Sequence, residues 1–193
     1  IPCVTEEEIM AAAADADAII TITSRQPFSR EMLEKLTKCR LIASIGIGYE
    51  SVDVEAATEH GICVTNTPDY CLEEVSDHAI ALLLACARRL FPLDKAVREG
   101  KWDTPLRPAI RQVWEGMPRL RGQTLGLFGF GRIARTLALK AQGLGIRVIA
   151  YDPYVHSDVA RKMGVELVEF DHLLEESDYI SIHAALTPET REM

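Results

Sequence analysis

A glycine-rich turn between an apolar strand and a helix is the feature that most limits how this chain can fold. The stretch 124–128 predicts a buried strand and the stretch 132–143 predicts a helix, with Gly129-x-Gly131-x-x-Ala134 between them. Gly129 permits a sharp turn, Gly131 leaves the backbone open to a pyrophosphate, and Ala134 lets the helix pack closely on the strand. The N–H groups and the dipole of the helix start favour an anion. The spacing therefore predicts a dinucleotide-binding turn.

An acidic residue follows at the distance that such a turn requires. A second strand, predicted over 146–151, ends at Asp152, which lies 23 residues after Gly129. A carboxylate in this position binds ribose hydroxyls and repels a 2′-phosphate, so the sequence favours NAD over NADP. Arg132 stands at the helix start, where it either contacts the phosphates or is solvated.

Short apolar runs alternate with segments of helical period along the rest of the chain. Strands are predicted over 18–22, 41–45, 62–65, 124–128, 146–151, 165–168 and 179–183. This alternation predicts an α/β fold with Rossmann-like, doubly wound parallel sheets. We expect a boundary near Pro68, because the acidity is concentrated before it.

One long helix is predicted from about residue 72 to about residue 90. One side of it carries the apolar residues Val75, Ala79, Leu82, Leu83 and Cys86. The opposite side is also apolar, which predicts burial on more than one face and contact with a subunit or domain. We expect a second helix to about residue 100 and then an irregular connection as far as residue 121.

Composition excludes several classes of function. The net charge is −8, which argues against nucleic acid and against an anionic membrane as partners. No apolar run reaches transmembrane length. The five cysteines form no C-x-x-C pair, which predicts free thiols in a reducing compartment and hence a cytoplasmic protein. No metal site is expected.

The chain resembles the D-isomer-specific 2-hydroxyacid dehydrogenases along essentially its whole length. The matching stretches are 46–53 (GIGYESVD), 61–68 (GICVTNTP), 98–102 (REGKW), 121–133 (RGQTLGLFGFGRI), 149–154 (IAYDPY) and 177–190 (SDYISIHAALTPET). Family members usually carry Asp-Asn or Asp-His where this chain has Glu50-Ser51.

The resemblance implies two domains and a set of site residues. Residues 1–68 would form part of a flavodoxin-like substrate domain, and residues 69–193 the first half of an NAD-binding Rossmann domain. The helix from Leu72 would contact a second copy in a homodimer. The backbone of Ile47 and Gly48 would hold the substrate carboxylate. The implied cofactor-binding residues are Gly129, Gly131, Arg132, Ile133, Ala134, Asp152, Ala184, Ala185, Leu186 and Thr190.

The resemblance also implies an activity. The full-length parent would be an NAD-dependent oxidoreductase acting on the CH–OH group of a small D-2-hydroxy acid of the phosphoglycerate, glyoxylate or hydroxypyruvate type. The family's catalytic Arg, Glu and His are expected beyond Met193. The chain is therefore interpreted as truncated at both ends and predicted to be inactive by itself. The alternative is an NAD(H)-sensing corepressor-like scaffold, because residues 119–154 are also similar to the C-terminal-binding-protein corepressors.

Overall fold

The computed structural model describes residues 3, 5–22, 27–101, 108–187 and 189–193, with the backbone alone at 108–110 and 112. The chain divides into two compact units, Ile1–Tyr70 and Cys71–Met193. The strands are β1 Ala18–Thr21, β2 Leu41–Ser44, β3 Cys63–Thr65, β4 Thr124–Phe128, β5 Arg147–Tyr151, β6 Glu166–Leu167 and β7 Tyr179–Ile182. The helices are α1 Glu6–Ala13, α2 Arg30–Lys35, α3 Val54–Glu59, α4 Leu72–Ala87, α5 Leu90–Arg98, α6 Pro108–Glu115, α7 Arg132–Gly143, α8 Ser157–Lys162 and α9 Phe170–Glu176.

The first unit is a parallel sheet of strand order β1-β2-β3, packed against α1, α2 and α3. Its helices start at side-chain caps, as the predicted cap Ser29 shows by accepting the N–H of Met32. Asp53 caps α3 in the same way, through the N–H of Ala56 at 2.8 Å. Phe28 and Ile42 are fully buried in the core between the helices and the sheet.

The second unit is a parallel sheet of strand order β6-β5-β4-β7. In sequence order within the unit this is 3-2-1-4, the three strands of one Rossmann half followed by the strand that begins the other half, with the switch point between β4 and β7. Leu125 and Leu127 pack towards α7, while Phe128 packs with Leu173 of α9. Helices therefore cover both faces of the sheet, and the prediction of doubly wound, Rossmann-like parallel sheets is confirmed.

Two expectations about the helices were wrong. α6 lies within the stretch expected to be irregular, and the long helix is shorter than expected. The structure also contains α1, for which no prediction was made and whose capping box joins Thr5 and Glu8. The long helix ends at Ala87, because Arg89 adopts a left-handed backbone with φ 50° before α5 begins.

The buried side of α4 also differs from the expected one. Leu83 packs into the core as predicted, but the buried residues beside it are Ser76 and Ala87. Leu82 and Cys86, on the same predicted apolar side as Leu83, are exposed within the structure. Among the described residues, no helix is both long enough and apolar enough to cross a bilayer.

Candidate functional site

The glycine turn opens onto a cleft of about 350 Å³ at the carboxyl ends of β4, β5 and β7. This edge of the sheet is the switch point, where open α/β sheets bind their ligands. The lining residues include Gly129, Gly131, Asp152, Ala184, Ala185 and Thr190, all of them predicted cofactor-binding residues. The structure therefore brings the strand-end acid, the glycine turn and the loop after β7 to one place.

The two glycines of the turn have different surroundings. Gly129 has φ 88°, and a Cβ built on it would lie 2.7 Å from the backbone nitrogen of Ala184. Gly131 precedes α7 with an extended backbone, and a Cβ built there would meet no atom within 4 Å. Gly129 is thus required by the fold, whereas Gly131 leaves open space at the start of α7.

The Asp152 carboxylate is fixed by two backbone donors. One oxygen accepts the N–H of Phe130 at 2.8 Å, and the other accepts the N–H of Tyr154 at 2.9 Å. An ionised carboxylate has about four acceptor positions, so each oxygen can accept a further hydrogen bond. Asp152 therefore has both the fixed geometry and the spare acceptor capacity to bind a diol at the cleft.

The loop after β7 is closed by its own hydroxyl groups. Thr190 Oγ1 donates to the carbonyl of Ala185 at 2.6 Å and accepts the N–H of Thr187 at 2.8 Å. A hydrogen bond from the Thr187 side chain lowers the pKa of Glu189, which also lines the cleft. The described lining residues thus include two carboxylates, Asp152 and Glu189, and no Lys or Arg.

His183 stands at the end of β7 and lines the same cleft. Its Nε2 lies 2.9 Å from Ser181 Oγ, and the side chain is half-buried. Burial lowers the pKa of His183, which favours a neutral imidazole at neutral pH.

Four predicted cofactor residues lie near the turn or the loop but do not line the cleft. Ala134 is fully buried, as expected for the residue that brings α7 close to the strand. Arg132 is exposed and Ile133 is half-buried at the start of α7, and Leu186 is exposed in the loop. Among the described residues, no cluster of three His, Cys, Asp or Glu side chains could hold a metal ion.

Ile47 and Gly48 lie in the first unit, in the loop that follows β2. The carbonyl of Ile47 accepts the side-chain amide of Asn66 at 2.8 Å. A Cβ on Gly48 would lie 2.6 Å from a carboxylate oxygen of Glu50, so the Glu50 side chain folds against this loop.

Sequence reasoning missed several residues around these features. Tyr154 and Glu189 line the cleft, and Asn66 holds the loop after β2. Tyr154 lies directly after Asp152-Pro153 in the motif, and Asn66 lies directly after β3. Position at a strand end was therefore the available signal for both residues, because strand ends meet at one edge of a parallel sheet.

The comparison with protein families shows which kind of protein this glycine turn belongs to. Residues 80–193 match the family model described as "D-isomer specific 2-hydroxyacid dehydrogenase, NAD binding domain". The chain belongs to this family. The matched residues contain the whole of the cleft described above, so the dinucleotide-binding interpretation of the glycine turn has family support independent of geometry.

Individual relatives agree with this membership. The chain is 39% identical to a glyoxylate reductase of Korarchaeum cryptofilum over 98% of its own length and 55% of the relative's. It is 38% identical to a D-3-phosphoglycerate dehydrogenase of Methanocaldococcus jannaschii, over 97% of its own length and 34% of the relative's. The D-lactate dehydrogenase of Aquifex aeolicus, solved with NAD and lactic acid, matches with a TM-score of 0.83 at 28% identity, covering 100% of this chain and 53% of that one. The chain thus spans about half the length of these relatives, or less.

Proposed function

We propose that the whole protein is an NAD-dependent oxidoreductase that interconverts a small D-2-hydroxy acid and the corresponding 2-keto acid. The observation that carries this proposal is the cleft at the β4–β7 switch point, with an open glycine turn on one side and a fixed carboxylate on the other. Family membership supports the same conclusion.

The residues of the cleft support NAD as the cofactor. The open space beside Gly131 and the N–H groups at the start of α7 suit the pyrophosphate, with Arg132 and Ile133 beside it. Asp152 would accept the ribose hydroxyls, and the loop of Ala184, Ala185, Leu186 and Thr190 would lie under the adenine and the nicotinamide ribose. Because Asp152 is a carboxylate, it would repel a 2′-phosphate, which favours NAD over NADP.

The first unit is proposed to be part of the substrate domain, with Ile47 and Gly48 as the residues that bind the substrate carboxylate. When bound, the cofactor exchanges a hydride between nicotinamide C4 and C2 of the substrate, so the hydroxy acid is oxidised as NAD⁺ is reduced and the hydroxyl proton is released. The protein residues bind and orient the two reactants. The named relatives act on glyoxylate and 3-phosphoglycerate, and we propose a small acid of this class.

A homodimer in the cytoplasm is proposed for the whole protein. Helices α4 and α5 expose large apolar side chains, with Phe91 72% exposed and Leu82 51% exposed. Patches of this kind favour contact with another protein surface. The odd number of cysteines and the lack of a C-x-x-C pair support a reducing compartment. Sedimentation of the whole protein is expected to give a dimer, and a monomer at micromolar concentration would contradict that part of the proposal.

The activity is tested by following NADH oxidation with the whole protein and glyoxylate, hydroxypyruvate, pyruvate or phosphohydroxypyruvate. We expect turnover on at least one of these acids and weaker activity with NADPH. NADH binding without turnover on any of the four would contradict the proposal and would favour an NAD(H)-sensing scaffold.

A further inference from the structure

Three carbonyl groups of the loop after β2, those of residues 46–48, accept hydrogen bonds from the protein. The N–H of Thr67 donates to the carbonyl of Gly46 at 2.8 Å, and Asn66 Nδ2 donates to the carbonyl of Ile47 at 2.8 Å. Ser44 Oγ donates to the carbonyl of Gly48 at 3.2 Å. Two of these donors follow β3 and the third is the last residue of β2, so three consecutive carbonyl oxygens are held by strand ends and the loop is fixed before any ligand arrives.

Fixing a carbonyl also fixes the direction of the next N–H group. A trans peptide is planar, so its C=O and its N–H point in opposite directions. The bond to the Gly46 carbonyl therefore orients the N–H of Ile47, and the bond to the Ile47 carbonyl orients the N–H of Gly48. These are the two N–H groups assigned above to the substrate carboxylate.

Asn66 is the side chain that makes the second of these two bonds. It follows β3, which pairs in parallel with β2 in the register Ala43 to Thr65, so Asn66 stands beside the start of the loop. A side-chain amide can donate to a carbonyl, whereas a carboxylate cannot. Position 66 therefore requires a side chain that can donate a hydrogen bond.

We infer that Asn66 is a positioning residue for the substrate carboxylate: by holding the Ile47 carbonyl it aims the Gly48 N–H at the position that the carboxylate takes. The inference rests on the proposed function. It gives Asn66 no contact with the reacting atoms, and its effect passes through the Ile47–Gly48 peptide.

The test compares Asn66→Ala, Asn66→Asp and the neighbouring control Thr65→Val in the whole protein. We expect Asn66→Ala to raise the KM for the 2-keto acid about tenfold, the order of one hydrogen bond to a charged group. Asn66→Asp is expected to raise that KM further, because a carboxylate repels the Ile47 carbonyl. The KM for NADH stays within about twofold, and Thr65→Val, which alters an exposed side chain of the same strand end, leaves both constants unchanged.

A second measurement separates positioning from direct contact with substrate. Hydrogen exchange of the peptide covering residues 46–48, measured by mass spectrometry with and without saturating 2-keto acid, is expected to be slowed by the acid in Thr65→Val and slowed less in Asn66→Ala. A raised KM with equal slowing in the two variants would overturn the inference, because the N–H groups would then bind the carboxylate equally well without Asn66. An unchanged KM in an active Asn66→Ala variant would overturn this inference and leave the proposed function standing. No turnover by the unaltered protein would instead overturn the proposed function.

Discussion

Gly129 and Gly131 stand two residues apart in one turn and make different demands on the chain. At Gly129 the backbone has φ 88° and the loop after β7 passes directly behind it. We expect Gly129→Ala to lower the free energy of unfolding by about 1–3 kcal/mol, through a strained backbone and contact with Ala184. Urea unfolding measures this, with Gly143→Ala as the control, since a Cβ there meets nothing within 4 Å. Equal stability of Gly129→Ala and Gly143→Ala would contradict the assignment.

His183 gives the stability of the protein a predictable pH dependence. Burial lowers its folded-state pKa below the ordinary value of 6.5, so the unfolded chain binds the proton more readily. The contribution of His183 to stability is therefore present above pH 6.5 and lost as the pH falls below it. When the pH is lowered from 7.5 to 5.5, we expect the unaltered protein to lose unfolding free energy relative to His183→Gln. A difference that does not change with pH would contradict this assignment.

Among the secondary-structure elements, the strands and α7 follow from local sequence, and parts of the helical region do not. β4 and α7 were predicted at their observed bounds because the apolar run and the helical period meet at a glycine turn. In α4, Leu82 and Leu83 are adjacent and equally apolar, yet they point about 100° apart, so only one can face α7. Only the tertiary packing decides that Leu83 is buried and Leu82 exposed.

The candidate site likewise has a part that follows from local sequence and a part that does not. The spacing of the glycine turn and Asp152 in the sequence predicts their role, because each residue stands at the end of a strand and meets a requirement of the backbone there. The bond from Asn66 to Ile47 joins residues 19 apart in the chain and depends on the parallel pairing of β2 with β3. No local pattern encodes such a contact, so it became visible only in the folded structure.

The packing of α4 on α7 includes one polar contact that can be tested. Lys140 of α7 is mostly covered, and its Nζ lies 2.7 Å from Ser76 Oγ, 2.5 Å from Asp77 and 2.7 Å from Glu73. The hydrogen bonds to Asp77 and Glu73 raise the pKa of Lys140, with the bond to Asp77 contributing most. We expect Lys140→Met to lower the midpoint of thermal unfolding by a few degrees, because three polar groups of α4 lose their partner.

Lys162 provides the control for this test. It is an exposed lysine of α8, and Lys162→Met removes the same charge from the unit. Equal melting temperatures for the two variants would show that the polar contact of Lys140 with α4 adds no stability.

At the scale of the whole molecule, each unit holds one half of the proposed chemistry. The first unit carries the loop assigned to the substrate carboxylate, and the second carries the cleft assigned to NAD. The family match covers the second unit from residue 80 onward, and the relatives named above align with almost the whole chain. The cofactor cleft is thus the part of the proposal that a binding measurement can test without knowing which acid is the substrate.

That measurement is a calorimetric titration of the whole protein with NADH and NADPH, made on the unaltered protein and on Gly131→Ala. A methyl group at position 131 meets no protein atom within 4 Å, so the variant is expected to fold and melt normally. We predict that the unaltered protein binds NADH more tightly than NADPH and that Gly131→Ala weakens NADH binding at least tenfold. Equal NADH affinity in the two proteins, or a preference for NADPH, would contradict it.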